Sequence, residues 1–571
     1  MPSISGYYRA ILVLLVFFTG FFLRFYQLGV IPAGLYTDET AIGYNAYSIL
    51  ETGRDEHGKY LPLYFESFGD YKLPGYIYMV AVSEKLFGIN AFAVRFPSAI
   101  FGFLTIVALY FLVLILSKRF TFAIIASVFL AFNPWHVFFS RAAFEVNVAT
   151  AFAVFGTLFF ILAVTWKNNL FLFIAAIISF AVSLYTYNVT RIISPLLLTM
   201  LIVLYHKKVL KLSLWKKGIL LLLSLAFLLP FLFTLQSSSG LSSQLETLLA
   251  GKLALANFLE MRSYTTEVPI LSKFFFNTPV QLFWQYLKNL TAFFSFPFFF
   301  TNGPVSGLYG VGNTGTFYIF DLPFIIISLY EGIRKKVSYL YPFYVWLLII
   351  FLIGSFVREV PYPTRDFIIV IPLIIFSAYG CVSILDKFLA VKNKNFFIFT
   401  STFFLIVFYS VVSFLTTYFL RFPIEHAKDW RREDQALVSY LQKKEKSVDT
   451  IYLDKSADFS YTSLLFYQKY SPVIFQKEAK YISNGLLERP EKIGKYVFSK
   501  DDLSKTLQQQ DILLVTGSSE RLSKGVTLKK FYYPTRPVVL AIDKTIVYYP
   551  TTDIAYHVMH RKKKIPILKQ Q

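Results

Sequence analysis

Long apolar runs separated by short basic clusters set the rhythm of the first 420 residues. Stretches such as 99–116, 367–385 and 396–420 contain no charged residue, and each approaches or exceeds the roughly 20 residues needed to cross a bilayer as a helix. The pattern predicts eleven spans, at about 10–29, 91–116, 120–134, 143–165, 170–187, 191–205, 218–235, 317–333, 339–355, 366–386 and 396–418. Beyond residue 419 the texture changes. Residues 427–446 read as a polar helix, and 450–453, 496–498, 511–515 and 538–542 as short strands with helical patterns between some of them. The expected architecture is a polytopic α-helical membrane domain, 1–418, followed by a soluble α/β domain, 419–571.

The connections fix an orientation. Lys118 and Arg119, Lys167, the five lysines of 206–217, the basic 334–336 turn, and Lys387, Lys392 and Lys394 all fall on one side. The positive-inside rule makes that side cytoplasmic, with the N-terminus inside and the C-terminal domain outside the cytoplasm of a multi-pass cell-membrane protein. The outer face then receives a first loop, 30–90, a large loop, 236–316, and the C-terminal domain.

Composition supports this reading. Of 571 residues 56% are hydrophobic and 16% charged, and the formal net charge is +22. In a soluble protein such a charge would suggest nucleic acid. Here the basic residues sit between spans, where anionic head groups favour them, and no nucleic-acid partner is expected. The single cysteine, Cys381, excludes an intrachain disulfide. The apolar run after Arg9 lacks a clear small-residue cleavage site and reads as an uncleaved first span. The C-terminal domain has no glycine-rich phosphate loop, and its terminal 561–564 run reads as a solvated or head-group-facing tail.

Candidate chemistry lies on the predicted outer face. The first loop holds Tyr36-Thr37-Asp38-Glu39-Thr40, then Glu66-Ser67-Phe68-Gly69-Asp70-Tyr71-Lys72-Leu73-Pro74. Further on come Asn133-Pro134-Trp135-His136, Ser140-Arg141 with Glu145, then Tyr185-Thr186-Tyr187 with Arg191, and Pro363-Thr364-Arg365. Each has a plain structural reading by itself. Thr37 or Asp38 would cap a helix with Glu39 in its first turn; Asp70 and Lys72 would be a wet ion pair; Arg141 and Glu145 would pair along a helix; His136 would be a satisfied interfacial histidine; each arginine would snorkel.

In combination these segments resemble one family. The Asp38-Glu39 pair after the first span, Lys72 with Pro74, Arg95-Phe96-Pro97-Ser98, Pro134-Trp135-His136 with Ser140-Arg141, and Tyr185/Tyr187/Arg191 are similar to the protein mannosyltransferase and aminoarabinose transferase superfamily over roughly residues 1–390. The Asp321-Leu322-Pro323 segment and the trailing domain fit the same pattern. The resemblance implies the GT-C glycosyltransferase fold, a polyprenyl-phosphate sugar donor, an extracytoplasmic protein, lipid or glycan acceptor, and inversion at the anomeric carbon. It implies Asp38 as the catalytic base with Glu39 beside it. Lys72, Arg141, Arg191 and Arg365 would bind the donor phosphate, and Asp70, His136, Glu145, Tyr185 and Tyr187 would support the site. No cofactor is certain. A divalent metal on Asp38 with Asp70 or Glu66 and a histidine stays open, although this chain has Asp70 two residues before the lysine where relatives with a metal carry an acid directly before it. The competing readings are a lipid or glycan transporter without covalent chemistry, and a non-catalytic scaffold working through its C-terminal domain. The sequence shows no internal repeat of the kind many transporters carry.

Overall fold

The computed structural model describes residues 6–166, 168–236, 274, 277–356, 360–391, 395–453, 459–483 and 488–498, together with the strand segments 512–516, 526–532, 536–539, 546–549 and 554–561. A helix stands at each of the eleven expected places, from Gly6–Phe25 to Asn395–Thr416. Among the described residues, five helices are both long and apolar enough to cross a membrane: Gly6–Phe25, Ala91–Ser117, Glu145–Thr165, Phe367–Phe388 and Thr400–Glu425. Four more apolar helices, Phe120–Phe132, Leu170–Leu184, Thr190–Leu204 and Ser338–Gly354, have only 10–17 residues. At 1.5 Å per residue such helices fall short of the hydrocarbon thickness. The protein is polytopic and α-helical, and among the described residues five of the eleven expected spans meet both criteria.

Several boundaries shift for local reasons. The first helix ends at Phe25, short of the expected 29, because Gln27 takes a left-handed backbone with φ of 53°. The polar helix expected over 427–446 forms only at Asp434–Lys444, since Arg431 also sits at positive φ, 49°, and cannot continue a right-handed helix. The strand expected over 538–542 is found at Arg536–Val539, and residues 540–542 lie outside the described set, as do 562–571. Within the loop expected over 236–316 a helix forms at Thr278–Ala292; residues 237–273 and 275–276 are outside the described set.

The chain divides into two compact units. The first, Met1–Tyr26 with Pro97–Leu415, holds most of the helices. Small residues let their backbones approach. A Cβ at Gly380 would stand 2.0 Å from the Phe324 carbonyl oxygen, and one at Gly156 would stand 2.8 Å from the Phe180 ring. Close approach of this kind stabilises helix pairs where no hydrophobic driving force exists between them and lipid.

The second unit joins Gln27–Phe96 to Thr416–Gln571. Its six-stranded sheet runs in the order Lys492–Ile493, Tyr496–Phe498, Thr450–Leu453, Ile512–Thr516, Ile554–Arg561, Val526–Tyr532. Thr450–Leu453 lies parallel to both neighbours, Tyr496–Phe498 and Ile512–Thr516. The Thr37–Thr52 helix belongs here. A Cβ on its Gly43 would come within 2.4 Å of the Phe466 ring, from the Tyr461–Gln468 helix, so only glycine fits. Thr40 Oγ1 and Thr462 Oγ1 share a 2.8 Å hydrogen bond, and the Gln476 amide donates to Ser48 Oγ, Thr52 Oγ1 and the Asp55 carbonyl. The first outer segment is thus built into the fold of the C-terminal residues.

Candidate functional site

In the second unit, Asp38 is the second residue of the Thr37–Thr52 helix. Tyr36 precedes the first turn with no side-chain cap, and Gly53, at φ of 66°, closes the other end with its N–H on the Ile49 carbonyl. The cap foreseen for Thr37 or Asp38 is not made. The Asp38 carboxylate instead faces outward, 45% exposed, with Oδ1 at 3.0 Å from Lys72 Nζ.

A hairpin delivers that lysine. Phe65–Ser67 and Asp70–Lys72 pair antiparallel with Ser67 opposite Asp70, leaving Phe68 and Gly69 as a two-residue turn. Both have positive φ, 60° and 76°, as the hairpin turn that matches strand twist requires. Alternation along a strand puts Asp70 and Lys72 on one face. Asp70 Oδ2 lies 3.9 Å from the ammonium, an exposed and weaker partner than Asp38.

Glu39, one residue on, is fully buried. Its two oxygens accept from Arg95 Nε and Nη2, each at 2.9 Å, in a two-pronged ion pair. Arg95 also donates to the carbonyls of Leu28, Pro32 and Gly34, and its guanidinium lies 5.6 Å from the Trp430 ring centre. The guanidinium fork matches a carboxylate plane, and the added carbonyls occupy its remaining donors. This cluster ties the start of the Thr37–Thr52 helix to the loop before it.

Below lies a second buried carboxyl, Glu56. Its Oε1 accepts from Ser67 Oγ at 2.6 Å and Tyr461 Oη at 3.2 Å, and its backbone N–H donates to Asn45 Oδ1. Burial pushes its pKa up to about 8, the hydrogen bonds opposing only in part.

In the first unit, Arg24 and Arg141 are fully buried. Arg24, on the Gly6–Phe25 helix, donates to the carbonyls of Leu130 and Ala131 at 3.2 and 2.7 Å, at the end of Phe120–Phe132. Arg141 donates to the carbonyls of Leu23, Arg24 and Tyr26 at the end of Gly6–Phe25. The carbonyls that end a helix have no partner within it and carry the negative pole of its dipole. Arg24 thus caps Phe120–Phe132, and Arg141 caps the helix that carries Arg24. Asn133 starts the Pro134–Phe139 helix by accepting from the His136 N–H, and His136 Nδ1 accepts from Arg24 Nη2 at 2.8 Å. Burial, and then the Arg24 charge, hold that imidazole well below its usual pKa and therefore neutral.

Tyr187 meets the electrostatic field of Glu145, Arg365 and Tyr362 and hydrogen-bonds Thr364. Arg365 lies 4.4 Å from the Tyr362 ring centre, and its buried Nη1 has no hydrogen-bond partner among the described residues. Tyr185 is engaged elsewhere, donating to the Phe227 carbonyl at 2.8 Å. Arg191 is buried in the first turn of Thr190–Leu204.

The expected residues therefore gather as Asp38, Lys72 and Asp70 in the second unit, and as Tyr187, Glu145 and Arg365 in the first. Among the described residues, no three of His, Cys, Asp and Glu come together to hold a metal. Glu66 is engaged by Lys59 at 2.9 Å, and the Lys72 ammonium stands where a cation beside Asp38 would. Sequence reading gave no role to Arg24 or Glu56, and saw Arg95 only as part of a motif. An arginine inside an apolar 20-residue run was the available signal for Arg24.

Residues 72–233 match the family model described as dolichyl-phosphate-mannose-protein mannosyltransferase. The fold is similar to that of ArnT from Cupriavidus metallidurans in the apo state, at TM-score 0.51 and 13% identity, covering 96% of this chain and 97% of that one. Residues 72–233 are thus similar to that family, and the chain as a whole shares the fold of that structure. Two further solved structures are similar at lower TM-scores. ArnT bound to undecaprenyl phosphate gives TM-score 0.49 at 13% identity, covering 97% and 98% of the two chains. The apo oligosaccharyltransferase of Archaeoglobus fulgidus gives 0.48 at 14%, covering 82% of this chain and 64% of the archaeal one. No curated protein matches the sequence.

Proposed function

We propose that this protein is a membrane glycosyltransferase of the GT-C kind that moves a sugar from a polyprenyl-phosphate carrier to an acceptor on the extracytoplasmic side. The observation that carries the reading is Asp38: an open carboxylate on a rigid helix start, with one buried-stem lysine at 3.0 Å. The family description over 72–233, which names a lipid-phosphate sugar, supports the donor class.

Phosphate is a competent leaving group, so one base suffices where a glycosidase needs an acid and a base. Asp38 takes the proton of the acceptor O–H or N–H as that heteroatom bonds the anomeric carbon. The bond from that carbon to the phosphate oxygen breaks, and polyprenyl phosphate leaves with the electron pair. Direct attack inverts the anomeric centre. Lys72 moves from Asp38 toward the phosphate as negative charge grows there, which frees the carboxylate and stabilises the transition state in one motion. Arg141 and Arg24 act as helix caps. Glu39 holds the helix start through Arg95 and is a positioning residue.

The test is transfer of labelled sugar from polyprenyl-phosphate donors by reconstituted protein. Asp38→Asn is expected to abolish transfer while leaving insertion and melting temperature unchanged; transfer at the parent rate removes Asp38 as base. Vectorial movement of the lipid with no covalent product replaces the transferase reading with a transporter. The inside N-terminus and outside C-terminal domain are tested by reporter fusions after residue 571, where a cytoplasmic signal refutes the topology.

A further inference from the structure

Asp38 and Lys72 sit on different elements of the second unit, so the hairpin must be fixed against the helix for the two side chains to meet at 3.0 Å. The contacts that fix it converge on Glu56, in the connection between them. Ser67, on the hairpin strand that pairs with Asp70–Lys72, donates to Glu56 Oε1 at 2.6 Å. Asn45, on the Thr37–Thr52 helix, donates to Ser67 Oγ at 3.2 Å and accepts from the Glu56 N–H at 3.0 Å. Asn45, Glu56 and Ser67 are all buried. The turn is held from the same side. Tyr461 Oη donates to Glu56 Oε1 at 3.2 Å, the Phe68 ring centre lies 4.7 Å from that of Tyr461, and the Phe68 carbonyl accepts from the Glu488 N–H.

We infer that Glu56 is a positioning residue for the transfer reaction: through Ser67 and Asn45 it seats the hairpin on the helix and so sets Lys72 beside Asp38. The inference rests on the roles proposed above for those two side chains.

The surroundings of Glu56 suit the neutral acid. Its Oε2 has no hydrogen-bond partner among the described residues. His57 Nε2 lies 3.8 Å from Oε1, but burial holds that imidazole below its usual pKa, so it lends little positive charge. Asp55 adds negative charge from the preceding residue. The Tyr44 and Tyr481 hydroxyls, from the helix and from the Tyr481–Ser483 strand, lie in the field of Glu56 and bring no cation. Burial places the Glu56 pKa at about 8, so the three-way contact is uncharged at neutral pH. Ionisation puts an uncompensated charge in a buried site, which draws in water and loosens the seat of the hairpin.

The experiment follows full-length protein from about pH 6.5 to about pH 9, well below its melting temperature. It reads hydrogen exchange of amides 65–72, corrected for the intrinsic rise with pH, and sugar transfer from a polyprenyl-phosphate donor. In the parent, corrected exchange should rise and kcat/KM should fall as pH passes about 8, each approaching about tenfold per pH unit. Glu56→Gln, neutral throughout, should remove both trends. Glu56→Ala should raise exchange at 65–72 and lower kcat/KM about 10–100-fold already at pH 7, the order of cost for misplacing a group by about 1 Å. Glu56→Gln should recover most of that loss. The same pH trend in exchange for the parent and Glu56→Gln overturns the inference, as does an undisturbed hairpin in Glu56→Ala. The exchange readings decide this whether or not sugar moves, whereas a parent that transfers no sugar at any pH overturns the transferase reading instead.

Discussion

Asp38 and Glu39 are consecutive residues in one helical turn, and the structure gives them opposite surroundings. The Asp38 carboxylate is 45% exposed with one lysine beside it. The Glu39 carboxylate has no exposure and two charge-assisted hydrogen bonds from an arginine that is itself buried. A helix turns about 100° per residue, so neighbours point to different sides and one helix start serves both water and core. The exposed pair is held loosely, because solvent screens it and either partner can exchange. The buried pair is held firmly, because breaking it strands a charge without water. Chemistry that needs a carboxylate to release one cation and accept a proton belongs to the first; fixing where that carboxylate stands belongs to the second.

Asp38→Asn tests the open half. It should lower transfer by roughly 10²–10⁴-fold, the usual contribution of a general base, with no change in melting temperature. Arg95→Leu tests the closed half. It should destabilise the protein by about 3–5 kcal/mol, the cost of leaving a buried charge unpaired, seen as a large fall in melting temperature. If Arg95→Leu left stability intact while Asp38→Asn unfolded the chain, the assignment of the two pairs would be reversed. Lys72→Gln should reduce kcat/KM by about 10–100-fold, the order of one lost transition-state charge contact, and should leave the melting curve in place.

Glu56 extends the comparison to pH. Its folded pKa, about 8, lies above the ordinary glutamate value of 4.5. Between those values the folded protein binds more protons than the unfolded one, so stability is fully present below about 4.5 and declines as pH rises through 8. The slope approaches about 1.4 kcal/mol per pH unit at its steepest. Melting followed by tryptophan fluorescence from pH 5 to 9 should show this decline, and Glu56→Gln should flatten it; equal slopes in both proteins would remove Glu56 as the source. Smallest is Asp70→Asn. At 3.9 Å and 73% exposure its contact with Lys72 is weak, and transfer should stay within about twofold of the parent.

The membrane helices were legible because each is written in contiguous residues: a run such as 99–116 declares itself wherever it lies. The strand Thr450–Leu453 was legible for the same reason, and was found with the expected bounds. The number of spans was less so, since hydropathy scores a short helix such as Phe120–Phe132 as apolar without measuring whether it reaches across. Asp38 and Lys72 could be singled out by resemblance, but not their 3.0 Å contact, which depends on a hairpin turning at Phe68 and Gly69. Arg141 shows the opposite case. Resemblance implied a phosphate contact, and its place at the end of Gly6–Phe25 gives its nitrogens three carbonyls to bond.

The amino-acid order by itself determined a membrane protein: where the apolar helices fall, which connections are basic, and that a strand-bearing domain follows them. Those properties arise from neighbours along the chain, through hydrophobic period and local backbone preference. Only the tertiary structure decided that residues 27–96 fold with the chain after 415, that Glu39 is enclosed while Asp38 is open, and that two arginines cap neighbouring helices. These outcomes depend on groups tens to hundreds of residues apart meeting in space, where burial rather than residue type sets what each charge does.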